Sequence, residues 1–289
     1  MENDKKILAC VDQSTFAVHV ADYAAWAARC VGAPLEFLHA IDHHPERGAD
    51  DDLSGAIGIG TQEQLLDKLA ADEAARIAAE RDQCREFLND LRERACSAGA
   101  GLVEVRQRHG RLEEVLAEQA HDPRLMVMGH GGIGSCDIGT ATGRLGTNVE
   151  HVVRAVRVPV LIVSNTFTEP QRVMIAFDGR PAAKRAVNMV ASSPLFEGMA
   201  VHLLMSGEGK DALNQLAWAE GILQVAGRNT RAVLKPGDAA SNVVETVQEQ
   251  SIDLLLMGAF GHSALRNLVF GSKTMEIVSA LGIPTLLLR

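Results

Sequence analysis

The sequence predicts an α/β fold built from two tandem, doubly wound units. Three observations carry that expectation. The same landmarks recur in the same order in both halves of the 289 residues. Within each half, short apolar runs alternate with helix-period stretches, the pattern of strand–helix units. Several of the runs, such as LLLM at 254–257, are apolar throughout, as strands of a parallel sheet buried on both faces are. The expected architecture is a pair of parallel five-stranded sheets of order 3-2-1-4-5, joined as an internal pseudo-dimer.

The repeat is legible in its landmarks. Residues 6–12 read KILACVD and residues 172–178 read RVMIAFD; each is an apolar run closed by Asp and followed by an Ala-rich helical pattern. RLMVMGHGG at 124–132 matches DLLLMGAFG at 253–261. GTNVEHVVRAVRVPVLIV at 146–163 matches GSKTMEIVSALGIPTLLL at 271–288, each a helical stretch broken by proline before a β-rich run. The polar segment 164–171, which contains Pro170, separates the halves, so domains of 1–165 and 170–289 are expected.

In the second half the expected strands are 172–177, 199–205, 230–234, 253–257 and 284–288, and the expected helices are 181–191, 210–226, 239–250 and 272–281. In the first half the strand regions are 1–12, 34–41, 102–107, 124–128 and 159–163. That half is expanded. An acidic, Gly-rich loop spans 42–60, and a long Ala/Glu/Arg helix spans 61–98. The last strand of each half, PVLIV and PTLLL, is too apolar for an open edge. Val160–Val163 is therefore expected to run antiparallel to Thr285–Leu288. A homodimer on top of this internal pairing is left open, as is any protein partner.

Composition narrows the function. Hydrophobic residues make up 47% of the chain, aromatics only 4%, and the formal net charge is −9. An acidic chain with few stacking residues is poorly suited to nucleic acid or to an anionic membrane surface. No apolar stretch reaches the length of a membrane span, and the N-terminal residues lack a secretory pattern. Five scattered cysteines without a C-x-x-C pair fit reduced thiols and a cytoplasmic location.

The candidate site lies where a doubly wound sheet holds ligands, at the carboxyl ends of its strands. Asp178 ends the first strand of the second half and Gly258 ends the fourth, so a 3-2-1-4-5 order brings both to one crevice. Gly258 and Gly261 allow backbone to approach a sugar or phosphate. Gly271 and Ser272 open the last helix, whose free N–H groups suit an anion. Asp178 can accept hydrogen bonds from ribose hydroxyls or a base. The constellation suits a nucleotide.

Gly258-x2-Gly261-x9-Gly271-Ser272, with Asp178 after the first strand and a Pro284-led final strand, resembles the nucleotide signature of the universal stress protein family. The resemblance covers nearly the whole chain as two tandem Rossmann-like domains. It implies an ATP-binding protein with a role in stress resistance, with or without Mg or Mn, hydrolysing ATP slowly if at all. By position it implies Asp178 at the base or ribose and Gly258 by the ribose. Gly261, His262, Gly271, Ser272 and Lys273 would surround the phosphates, and Met205 would offer backbone to adenine.

The first half keeps Asp12, Gly129, Gly132, Gly146 and Thr147, but thirteen residues, 133–145, stand where the motif has nine. The altered loop could wrap a phosphate or fill the pocket.

Plainer readings stand beside these. Asp12 and Asp178 could cap their own turns, and Gly258 could serve only close packing. Gly129 to Gly134 spells G-x-G-x-x-G, but after the fourth strand and without a helix to follow, so it reads as a decoy. Asp42-His43-His44 lacks the further ligands a metal shell needs, and Cys136 reads as a plain thiol. No Ser-His-Asp set or carboxylate pair stands out. A slow adenylate or ATP hydrolase, and a nucleotide-free scaffold binding another ligand through the first half, are the alternatives.

Overall fold

The structure is a computed structural model and describes residues 5–41, 61–118, 123–131, 147–259, 277–278 and 280–289. The first half contributes β1 (Ile7–Cys10), α1 (Ala17–Val31), β2 (Leu35–Ile41), α2 (Thr61–Ser97), β3 (Val103–His109), α3 (Leu112–Ala117), β4 (Leu125–Gly129), α4 (Thr147–Ala155) and β5 (Val160–Val163). The second contributes β6 (Arg172–Phe177), α5 (Pro181–Ser192), β7 (Ala200–Ser206), α6 (Lys210–Val225), β8 (Thr230–Lys235), α7 (Ala239–Glu249), β9 (Leu254–Gly258) and β10 (Thr285–Leu288). Residues 277, 278, 280 and 281 are helical and lead into β10.

The strands form one ten-stranded sheet of order β3-β2-β1-β4-β5-β10-β9-β6-β7-β8. Each half has the 3-2-1-4-5 order, with every pairing inside a half parallel. The two five-stranded units are continuous because β5 and β10 pair antiparallel, Thr285 opposite Ile162 and Leu287 opposite Val160. All eight residues of these strands are buried. The apolar final strands satisfy each other's edges, as their sequence requires.

The sheet separates two hydrophobic layers. One face packs α1, α2, α5 and α6, with Tyr23 and Trp26 among its largest buried side chains. The other packs α3, α4, α7 and the helical residues before β10. Local chemistry sets the ends of several helices. Gly32 at φ 62 closes α1, and the Asp238 carboxylate accepts the Ala240 and Ser241 amides at the start of α7. The segment between β5 and β6 is tied to α1: the Tyr23 hydroxyl donates to the Thr166 carbonyl at 3.2 Å, and its ring meets Phe167 edge-on at 4.8 Å.

The strand and helix positions agree with the sequence pattern to within a few residues. The 1–12 region is strand only over Ile7–Cys10, β7 runs one residue past Met205 to Ser206, and the short helix α3 was not marked by the sequence pattern. The 42–60 segment lies outside the described residues.

Candidate functional site

The strand order brings two pairs of strand ends together. Cys10 stands opposite Met128, and Ile175 opposite Leu256. Carried on, these registers set Val11 beside Gly129 and Phe177 beside Gly258. Asp12 and Asp178 follow at the mouths of the two crevices.

Each aspartate accepts the backbone amide two residues on, although α1 begins five residues after Asp12 and α5 three residues after Asp178. Asp12 Oδ1 accepts the Ser14 amide at 3.1 Å, and Asp178 Oδ1 accepts the Arg180 amide at 3.0 Å. Each carboxylate thus shapes its own turn. The second oxygen of Asp178 lies 3.6 Å from Arg180 Nε, and the side chain is about half exposed, so it can still take hydroxyl donors.

The two glycines also share a packing role. A Cβ on Gly129 would come within 2.8 Å of Phe16 Cβ, and one on Gly258 within 3.2 Å of Ala182 Cβ. Phe16 and Ala182 each lie four residues after the aspartate. Strand and helix approach so closely here that neither glycine needs a ligand to account for it. The turn after β6 is tighter still, with Gly179 at φ +75 and Gln215 Oε1 where its Cβ would stand. Sequence gave no signal for Gln215, which reaches this turn from the exposed side of α6.

Met205 is buried on β7 beside Phe177. The equivalent place in the first half belongs to His39, four residues after the β2 residue paired with Ile7, as Met205 is four after the β7 residue paired with Val173. His39 Nδ1 lies 2.8 Å from the Val11 carbonyl oxygen, and its ring meets Phe87 of α2 edge-on at 6.2 Å. The first crevice therefore has an imidazole and a phenyl ring on one wall where the second has a thioether.

His130 follows directly after Gly129. Burial pushes its pKa below the ordinary histidine value, against a smaller upward pull from the Val278 backbone. Sequence reading passed over His130 as part of a glycine run.

Thr147 is the first residue of α4, as a helix-opening residue should be. Gly261, His262, Gly271, Ser272, Lys273, Gly132 and Gly146 lie outside the described residues, as do Cys136 and the Asp42-His43-His44 triplet. Among the described residues, no group of three His, Cys, Asp or Glu is placed to hold a metal ion, and no helix is long and apolar enough to cross a membrane.

Comparison with known proteins bears on the family and the fold. The profile of the Universal stress protein family matches residues 4–164 and 197–289. A universal stress protein of a Synechocystis species is 31% identical over 289 residues, covering 99% of this chain and 100% of the relative. Among solved structures, a universal stress protein from Archaeoglobus fulgidus superposes with a TM-score of 0.72 at 17% identity, over 98% of each chain. A putative universal stress protein from Pseudomonas aeruginosa gives a TM-score of 0.60 at 15% identity, over 100% of this chain and 94% of the other.

Proposed function

The chain belongs to the universal stress protein family, and we propose that it is a cytoplasmic, ATP-binding stress-response protein whose second half, residues 170–289, holds the nucleotide. Residues 1–165 form the other domain of this reading. The observation that carries it is the Gly258-x2-Gly261-x9-Gly271-Ser272 spacing, issuing from the end of β9 next to the end of β6.

The residues fit the group. Asp178, half exposed at the crevice mouth, accepts hydroxyls of the ribose or a donor on the base. Met205 lies on the neighbouring strand, where its backbone can meet adenine. Gly261, His262, Gly271, Ser272 and Lys273 supply backbone amides, a hydroxyl and positive charge for the phosphates. Asp178 is the one carboxylate assigned to the crevice, which suits retention of ATP, with or without Mg or Mn, better than rapid hydrolysis.

Gly258 is a poor residue to test, because its substitution would disturb the contact with Ala182 whatever binds. Gly261→Val and Lys273→Ala are better. Calorimetric titration with ATP should show binding to the native protein and at least a ten-fold loss in each variant, the size expected for losing one charge-assisted phosphate contact of about 1.5–3 kcal/mol. Unchanged affinity in both would remove the phosphate loop from the site.

A further inference from the structure

We propose that the second half binds a small organic carboxylate in the cleft between α7 and the β7–β8 edge of the sheet, with Arg231 and Thr246 as its donors. None of the residues involved belongs to the proposed nucleotide site.

The first half shows what the place is suited to hold. Glu36 and His202 are equivalent: each lies one residue after the strand residue that pairs with Ile7 or with Val173. Glu36 is 1% exposed, and its carboxylate is paired with Lys6 and lies 3.2 Å from Arg106. In the second half Arg172 takes the position of Lys6, directly before the first paired residue of its strand. Arg231 stands opposite His202, two residues before the β8 position equivalent to Arg106. Residues two apart on a strand share a face. The cations are thus kept, while the carboxylate is replaced by an imidazole. Arg231 Nη1 donates to the Gln250 side-chain oxygen at 3.2 Å, and Arg172 Nη1 to the Ser251 carbonyl at 3.0 Å. Among the described residues, neither guanidinium forms an ion pair with a carboxylate.

The cleft has room and unused donors. Its volume is about 90 Å³, whereas a single water needs about 10–15 Å³. Leu204 and Val233, from adjacent strands, line it with apolar surface. Thr246 of α7 lines it too; the residue is 5% exposed, and its buried Oγ1 has no hydrogen-bond partner. A buried hydroxyl without a partner is costly, and a ligand oxygen would satisfy it. Thr246 lies one helical turn before Gln250, the residue that Arg231 bonds, so hydroxyl and guanidinium face the same space. The guanidinium has five N–H donors in a planar fork, which leaves donors for a carboxylate beyond the bond to Gln250. Lys235, also on the cleft wall, is already paired with Glu249 at 3.3 Å. An inorganic anion would leave Leu204 and Val233 facing water, whereas a short aliphatic body would cover them.

The test uses the full chain, isobutyrate as the probe, and the variants Thr246→Val, Arg231→Gln and His202→Glu. Titration followed by two-dimensional NMR of the backbone amides reads affinity and location together. The expected result is saturable binding with a dissociation constant of about 1 mM or tighter, within reach of so small a ligand. The largest shifts should fall at Arg231, Val233 and Thr246. Thr246→Val, which keeps the shape and loses the hydroxyl, should weaken binding about ten-fold, as should Arg231→Gln, the loss expected for a hydrogen bond to a charged group. His202→Glu supplies the carboxylate from the chain, as Glu36 does, and should abolish binding without lowering the melting temperature. No saturation by about 10 mM, or shifts centred elsewhere, would overturn the proposal. Unchanged affinity in Thr246→Val or in Arg231→Gln would overturn it too, because the assigned donors would not be the ones used. Inorganic phosphate binding more tightly than isobutyrate would remove the carboxylate assignment. Binding retained in His202→Glu, or a lowered melting temperature there, would break the equivalence with Glu36 on which the proposal stands.

Discussion

His202 shows how a single residue reports its surroundings. It sits on β7 opposite Arg231 on β8 and Met174 on β6, with Arg172 two residues before Met174 on that strand. Burial first, then these two guanidinium groups, holds its pKa below the ordinary histidine value. The sign follows from linkage. Above pH 6.5, the ordinary value, folded and unfolded forms are both neutral and the residue contributes nothing to pH dependence. As pH falls through that value, the unfolded chain takes up its proton first, so stability drops. The loss levels off once pH is below the folded pKa. Urea unfolding at pH 7.5 and pH 5 should therefore show a smaller acid loss in His202→Gln than in the native protein. An identical loss would mean that His202 titrates as it does in the unfolded chain. The first half solves the same position differently. There Glu36 is buried, its carboxylate paired with Lys6 and with Arg106 at 3.2 Å. Two homologous sheet positions thus carry a carboxylate in one half and an imidazole in the other, each among cations.

At the scale of elements, the end of the fourth strand in each half comes close to the start of the first helix, at Phe16 and at Ala182. Gly129→Ala should cost about 1–3 kcal/mol, the usual range for forcing an extra methyl into a packed contact. Gly258→Ala should cost less, because Ala182 leaves more room than Phe16 does. Chemical denaturation of both variants checks the order, and a neutral Gly129→Ala would mean that α1 yields freely. These contacts also mark what the sequence could and could not disclose. Strands such as LLLM and VLIV were legible because strands buried on both faces leave an unbroken apolar run. The antiparallel β5–β10 seam was legible because two apolar edges in one chain need each other. Close packing at Gly258 was one of the two readings the sequence offered, but Phe16 and Ala182 as the neighbours were not legible. A pattern of glycines records where a side chain is excluded, and it does not record what excludes it. Gln215 over Gly179, and Tyr23 against the Thr166 carbonyl, were invisible for a further reason. Each joins residues far apart in the chain through a turn or a seam that has no period in sequence.

The whole molecule is a tandem pair fused through one sheet, and its halves have diverged at the site. The second keeps the complete motif, with Met205 on the crevice wall. The first has His39 and Phe87 at the matching place, thirteen residues where the motif has nine, and the long helix α2. One fold can hold two different sites in this way because function resides in the loops and strand ends, not in the sheet. On this account the second half is the nucleotide-binding one. The most direct measurement is to denature freshly purified protein, remove the chain, and identify and count the released small molecules by mass spectrometry. The account predicts ATP or ADP at about one equivalent per chain, lost on Gly261→Val, as expected for one well-formed site. Release of no adenine nucleotide, with no heat on adding ATP to the emptied protein, would contradict it.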